Sequence, residues 1–182
     1  MHRVEALSVK GIQPMQVETF MLHDDGRVPN NSELALVLYR DAIAPDAATS
    51  DVIRLFARNG WRGAWVNGIY SYHHYHARAH EVLANVGSEV EVQFGGERGP
   101  VVCFRPGDVV VIPAGGGHCR LSGGGGLVIV GAYPEGQEDW DLKRADNPAD
   151  YQRAKGEIAR VELPSRDPVT GEWAPLCELW GG

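Results

Sequence analysis

Four of the chain's seven histidines fall in the single stretch Ser71-Tyr72-His73-His74-Tyr75-His76-Ala77-Arg78-Ala79-His80-Glu81. In an extended strand, residues i and i+2 share a face, so either His74 with His76 or, less usefully placed, His73 with Tyr75 points inward. Two neutral imidazoles on one inner face can share a metal ion, and Glu81, opening the apolar run Val82-Leu83, adds a carboxylate oxygen. His80 competes with Glu81 for that place, because an all-histidine site is also chemically reasonable, or else it supports the ligands from behind or lines the mouth of the pocket. His118 follows the run Asp108 to Ile112, and Pro113 with Gly115 to Gly117 bends the chain so that it can return to the first strand. Arg120 lies two residues beyond His118 and shares its face. Its fork of donors suits an anionic substrate group, or else a structural ion pair. Tyr72 shares parity with His74 and either lines the same pocket or packs in the core. Cys119 alternates to the opposite face and reads as an inert buried thiol.

Those side chains need a scaffold of short strands. Glycine and proline number 23 and 11, while 43% of the chain is hydrophobic, which disfavours both a helical bundle and disorder. Val17 to Leu22 and Leu34 to Tyr39 read as strands added to a sheet. Ser50 is placed to cap a short helix carrying Val52, Ile53, Leu55 and Phe56, which Asn59-Gly60 ends. From Trp61 to Tyr133, runs of Val, Ile, Tyr and Phe are punctuated by glycines at strand spacing. Asn147-Pro148 starts a helix reaching about Lys155, and Ile158 to Leu163 and Leu176 to Trp180 return to strand-like patches. The glycines at 123 to 126 lack the GK[ST] ending of a phosphate loop and precede the strand-like Leu127 to Val130, so they are turns.

At 182 residues the chain suits one domain: N-terminal strands and helix over 1–60, a barrel core over 61–133, and C-terminal helix and strands over 134–182. A formal charge of −7 without a basic cluster argues against a nucleic-acid partner. Met1 to Gln16 has no continuous apolar core and no segment is long enough to cross a bilayer, so a cytoplasmic location is expected. Cys103, Cys119 and Cys177, odd in number and without CxxC spacing, fit reduced thiols.

The residue pattern resembles the cupin superfamily. Gly68, His74-x-His76 and Glu81 match the first cupin motif in spacing, and Gly107, Pro113-x-Gly115 and His118 match the second. More narrowly, Asn67-Gly68-Ile69-Tyr70, His80-Glu81-Val82-Leu83, Gly117-His118-Cys119-Arg120-Leu121 and Gly131-Ala132-Tyr133-Pro134 look like the YjlB-like single-domain cupins. The resemblance implies an all-β, double-stranded β-helix (jelly-roll) barrel holding one divalent metal through His74, His76, Glu81 and His118. It brings no reaction with it. Ser88 stands where the motif has glycine and Ser122 where it has asparagine, and neither change removes a ligand.

Three imidazoles and a carboxylate leave a divalent ion with one net positive charge and, in octahedral geometry, two further positions. Mn, Fe, Ni, Zn and Cu all accept this set. The expected function is that of a metal-dependent enzyme acting on a small oxygenated or carboxylated, often anionic, metabolite by dioxygenase, decarboxylase or isomerase chemistry. The alternative is a non-catalytic small-molecule binding or sensing module. Apolar material in the terminal segments beyond what one barrel needs leads to the expectation of a homodimer.

Overall fold

A computed structural model describes residues 15–181. The reading of Met1 to Gln16 therefore falls almost wholly outside the described residues. In chain order the elements are β1 (Gln16–Phe20), β2 (Leu36–Arg40), α1 (Thr49–Arg58), β3 (Trp61–Asn67), β4 (His74–Tyr75), β5 (Glu81–Asn85) and β6 (Val90–Phe94), followed by β7 (Val101–Phe104), β8 (Val109–Ile112), β9 (His118–Ser122), β10 (Ile129–Pro134), β11 (Lys143–Arg144), α2 (Pro148–Ile158) and α3 (Leu176–Gly181). They form two antiparallel sheets, one in the order β1-β2-β8-β5-β10-β3 and the other β11-β4-β9-β6-β7. This is the expected jelly roll.

Period-2 alternation divides the larger sheet into two buried faces. Leu36, Leu38, Leu83, Val110, Ile112 and Ile129 point between the sheets, against Val90, Val92, Phe94, Val102 and Phe104 of the smaller one. Val37, Tyr39, Val82, Val109, Val111 and Val130 point the other way, onto Val52 and Phe56 of α1 and Leu176 and Trp180 of α3. Burial on both sides explains why Val109 to Ile112 is unbroken by polar residues. It also means that a one-residue change of register would exchange the two cores.

Three sequence expectations need correction. Helix α1 begins at Thr49 with Ala48 as its cap residue, so Ser50 lies inside the first turn. Ile158 ends α2, and no strand follows over 159–163. Leu176 to Trp180 is helical, because Leu176, Cys177 and Trp180, at helical spacing, fall on one buried side. The α2 reading holds: the Asn147 side chain accepts from the Ala149 N–H at 3.2 Å, with Pro148 in the first turn.

The C-terminal apolar residues behind the dimer expectation are used largely within the chain, since Leu176 and Trp180 join the outer core. All three cysteines are free, and no helix among the described residues is long and apolar enough to cross a membrane.

Candidate metal centre

Strand pairing brings the two motifs together. His74 on β4 lies opposite His118 on β9, and Glu81 opens β5 in the facing sheet with the same parity as the core residue Leu83. Gly115, with φ +88°, turns the chain so that its N–H reaches the His76 carbonyl at 2.7 Å; a Cβ there would lie 2.5 Å from the Asn30 carbonyl oxygen. The outcome is a buried trio: donor atoms of His76, Glu81 and His118 all lie within 4.8 Å of one another. Glu81 Oε2 is 3.2 Å from His76 Nε2 and 3.3 Å from His118 Nε2. His74 is outside this tight trio, although its ring centroid is only 4.0 Å from that of His118.

The tautomers are set from behind. Nδ1 of His74 faces the Tyr72 carbonyl at 2.9 Å, Nδ1 of His118 faces the Gly116 carbonyl at 3.2 Å, and Nδ1 of His76 contacts the Asp141 carbonyl. A carbonyl can only accept, so each Nδ1 carries a proton, and each ring when neutral turns its Nε2 lone pair inward. Glu81 Oε2 is buried and has no hydrogen-bond donor. With both rings neutral, lone pairs of His76 and His118 face a buried carboxylate oxygen, an arrangement that asks for a cation at their centre, whether a metal ion or a proton. The charges respond accordingly. Burial works to lower His76, but the Glu81 charge outweighs it and holds His76 above its ordinary range. Burial works upward on Glu81, and the His76 charge wins, keeping Glu81 below the usual carboxylate range. Burial and then the neighbouring His118 push His74 down to about 2, so it remains a neutral donor.

Further residues, assigned no role from sequence, complete the site. Tyr133 on β10 donates its hydroxyl proton to Glu81 Oε1 at 3.1 Å and accepts from Trp65 Nε1 at 2.8 Å. Gly131 makes this possible, because a Cβ there would lie 2.3 Å from the Trp65 ring. Trp140 stacks on Tyr133 with ring centroids 5.6 Å apart and meets His76 edge-on at 5.3 Å. Asp141 fixes that loop, its carboxylate accepting from the N–H groups of Ala77 at 3.0 Å and Arg78 at 2.9 Å. These groups surround a cavity of about 820 Å³ that opens beside the trio.

Of the other sequence candidates, only Arg120 reaches this cavity. Tyr72 lines a separate small cleft, lying under the Arg144 guanidinium at 3.9 Å, and Tyr70, stacked on it, takes the cavity position instead. His80 is neither in the trio nor among the residues lining the cavity. One residue from Glu81, it faces the opposite side of the sheet, packs on Trp180 at 4.8 Å and accepts the Ala114 N–H on Nδ1 at 2.9 Å.

Burial pushes His80 down to about 4, with the Glu162 carbonyl only partly opposing it. The folded chain therefore binds fewer protons here than the unfolded chain. This contribution to stability is fully present above about pH 6.5 and falls as pH drops toward 4, by up to about 3 kcal/mol. We expect the stability advantage of wild type over His80→Gln, read from urea midpoints, to shrink steadily from pH 7 to pH 4.5. A constant difference would contradict this.

No family model matches the chain. It is 40% identical over 165 residues to "Uncharacterized protein YjlB" of Bacillus subtilis (strain 168), covering 91% of this chain and 97% of that protein. Similar solved structures include acireductone dioxygenase from Bacillus anthracis, with a cadmium ion in its active centre, at 18% identity and TM-score 0.36 over 50% of this chain and 60% of that one. Procruciferin, an 11S globulin from Brassica napus, is 13% identical with TM-score 0.37 over 86% of this chain and 37% of that one. The chain thus falls well short of these neighbours' full lengths. Identity to YjlB across nearly all of both proteins, together with both cupin motifs on a jelly roll, shows that this chain belongs to the YjlB-like cupins.

Proposed function

We propose that this protein is a mononuclear metal-dependent enzyme. In this reading His76, Glu81 and His118, joined by His74, hold one divalent ion of Mn, Fe, Ni, Zn or Cu, and a small oxygenated or carboxylated metabolite reacts in the adjoining cavity. The observation that carries the reading is the buried, donorless Glu81 Oε2 facing two imidazole nitrogens at 3.2 and 3.3 Å. When bound, such an ion supplies Lewis acidity toward substrate oxygens, in keeping with dioxygenase, decarboxylase or isomerase chemistry. The chain's own groups prepare the site. Tyr133 holds a proton at Glu81 Oε1, the Asp141 carbonyl fixes a His76 proton on Nδ1, and Trp140 packs edge-on against His76.

One observation favours a second, non-catalytic reading. Among the described residues lining the cavity, Glu81 is the only carboxylate and there is no lysine, so a proton-transfer group apart from the proposed ligands would have to be Tyr70 or Tyr133. Burial and then Glu81 push the Tyr133 hydroxyl far above its ordinary range. A binding module would show saturable ligand uptake without turnover.

The test is elemental analysis after reconstitution with each of the five metals. Wild type is expected to retain about one ion per chain, and His76→Ala to bind at least about a hundredfold more weakly. Sub-stoichiometric metal in wild type under every condition would end the proposal.

A further inference from the structure

The cavity's walls point to the kind of molecule it takes. Trp65, Tyr133 and Trp140 form an aromatic group on one side, Tyr70 stands edge-on to His74 at 5.2 Å, and Ile69, Leu83 and Leu127 supply apolar surface. A volume of about 820 Å³ is far more than a two- or three-carbon acid fills. Such an acid would leave the aromatic faces without a partner.

Arg120 supplies the only permanent positive charge among the described cavity-lining residues. It is built into place by backbone groups. Nε donates to the Ile69 carbonyl at 3.1 Å and Nη1 to the Gly123 carbonyl at 2.7 Å, while its own N–H reaches the Tyr70 carbonyl at 2.9 Å. The glycine loop closes over the guanidinium: Gly124 has φ +119°, and a Cβ there would sit 2.9 Å from Nη1. No carboxylate among the described residues forms an ion pair with Arg120, contrary to the structural role weighed for it from sequence. Two of its five N–H donors are engaged, leaving both on Nη2 and one on Nη1 for a ligand. A pre-positioned, uncompensated guanidinium is an anion anchor. Two residues along β9 from His118, its backbone stands roughly 7 Å from that of the histidine.

Taking the metal reading as given, we infer that the ligand is a planar, conjugated carboxylic acid. Its carboxylate pairs with Arg120, its flat body lies among Trp65, Tyr133 and Trp140, and oxygen substituents at its far end face His76, Glu81 and His118. Arg120 is thus the residue that selects acids over neutral molecules, and the aromatic walls select planar acids over aliphatic ones.

Calorimetric titration of the zinc-loaded protein tests this with three probes: 3,4-dihydroxybenzoate, catechol and succinate. Zinc content is measured first on every variant. We expect wild type to bind 3,4-dihydroxybenzoate at least tenfold more tightly than either other probe. Arg120→Gln should lose at least tenfold toward 3,4-dihydroxybenzoate with no change toward catechol and no loss of zinc, and Arg120→Lys should recover only part of the loss. Equal losses toward both ring probes, or a wild-type preference for succinate or indifference to the carboxylate, at full zinc content, would overturn the inference and leave the metal reading standing. A wild-type protein that takes up no zinc or other divalent ion would overturn the metal reading and this inference with it.

Discussion

Glu81→Gln is expected to abolish metal-induced stabilisation while leaving the metal-free protein at least as stable as wild type. The amide keeps an oxygen to accept from Tyr133, now 3.1 Å from Glu81 Oε1, and places N–H donors where Oε2 faces the Nε2 atoms of His76 and His118. Wild type without metal either crowds acceptors against the buried Glu81 oxygen, where each unsatisfied group costs about 1–3 kcal/mol, or takes up a proton on His76 to form a buried ion pair of little net benefit. The substitution relieves that cost and removes the only anionic ligand. With metal at 100 times its dissociation constant, wild type should gain about 2.7 kcal/mol, a rise in melting temperature of about 5–10 °C for a chain of this size. Glu81→Gln should show no rise. Scanning calorimetry with and without metal decides the matter, and a variant that keeps the rise, or whose metal-free form melts far below wild type, contradicts the assignment of Glu81.

This site was readable from sequence to the extent that it rests on spacing and parity. His74-x-His76, Glu81 and His118 lie on or just beyond three short strands, β4, β5 and β9, and the alternating pattern of the core strands made the sheet faces legible. The choice between His80 and Glu81 was not legible, because adjacent residues differ only in which side of the sheet they face. In the structure Leu83 and Val82 lie on opposite cores, which places Glu81 inside and His80 against Trp180. Groups fixed through backbone carbonyls left no trace in the pattern. The Asp141 carbonyl behind His76 and the Ile69 and Gly123 carbonyls around Arg120 are contributed by loops, and a carbonyl looks the same whatever residue carries it. The C-terminal segment departs from the strand expectation for a different reason. Apolar content alone fits either element, whereas the spacing of Leu176, Cys177 and Trp180 fits a helix.

One buried carboxylate gathers four of the hydrogen bonds that hold that C-terminal segment, and Asp167→Ala should therefore be severely destabilising. Asp167 is fully buried on the outer side of the larger sheet. Its Oδ2 accepts from the Tyr39 hydroxyl at 2.6 Å and the Leu176 N–H at 3.1 Å, and its Oδ1 from the N–H groups of Val169 at 2.7 Å and Thr170 at 3.0 Å. Burial, then the adjacent carboxylate, push the Tyr39 hydroxyl far above its ordinary range, so it remains a donor. Alanine would strand the hydroxyl and three N–H groups at once, at a cost on the order of 3–5 kcal/mol, a large share of the about 5–15 kcal/mol that typically separates folded from unfolded chains. Tyr39→Phe removes one donor and leaves the carboxylate three others, so it should lose only about 1–2 kcal/mol. Urea unfolding monitored by tryptophan fluorescence separates these cases, and an Asp167→Ala variant within about 1 kcal/mol of wild type would refute the anchoring role. Metal uptake at low temperature gives the complementary control. Tyr39 and Leu176 belong to the outer core, across the sheet from Leu38 and the metal-facing side, so folded Asp167→Ala should still bind one ion per chain where Glu81→Gln binds none.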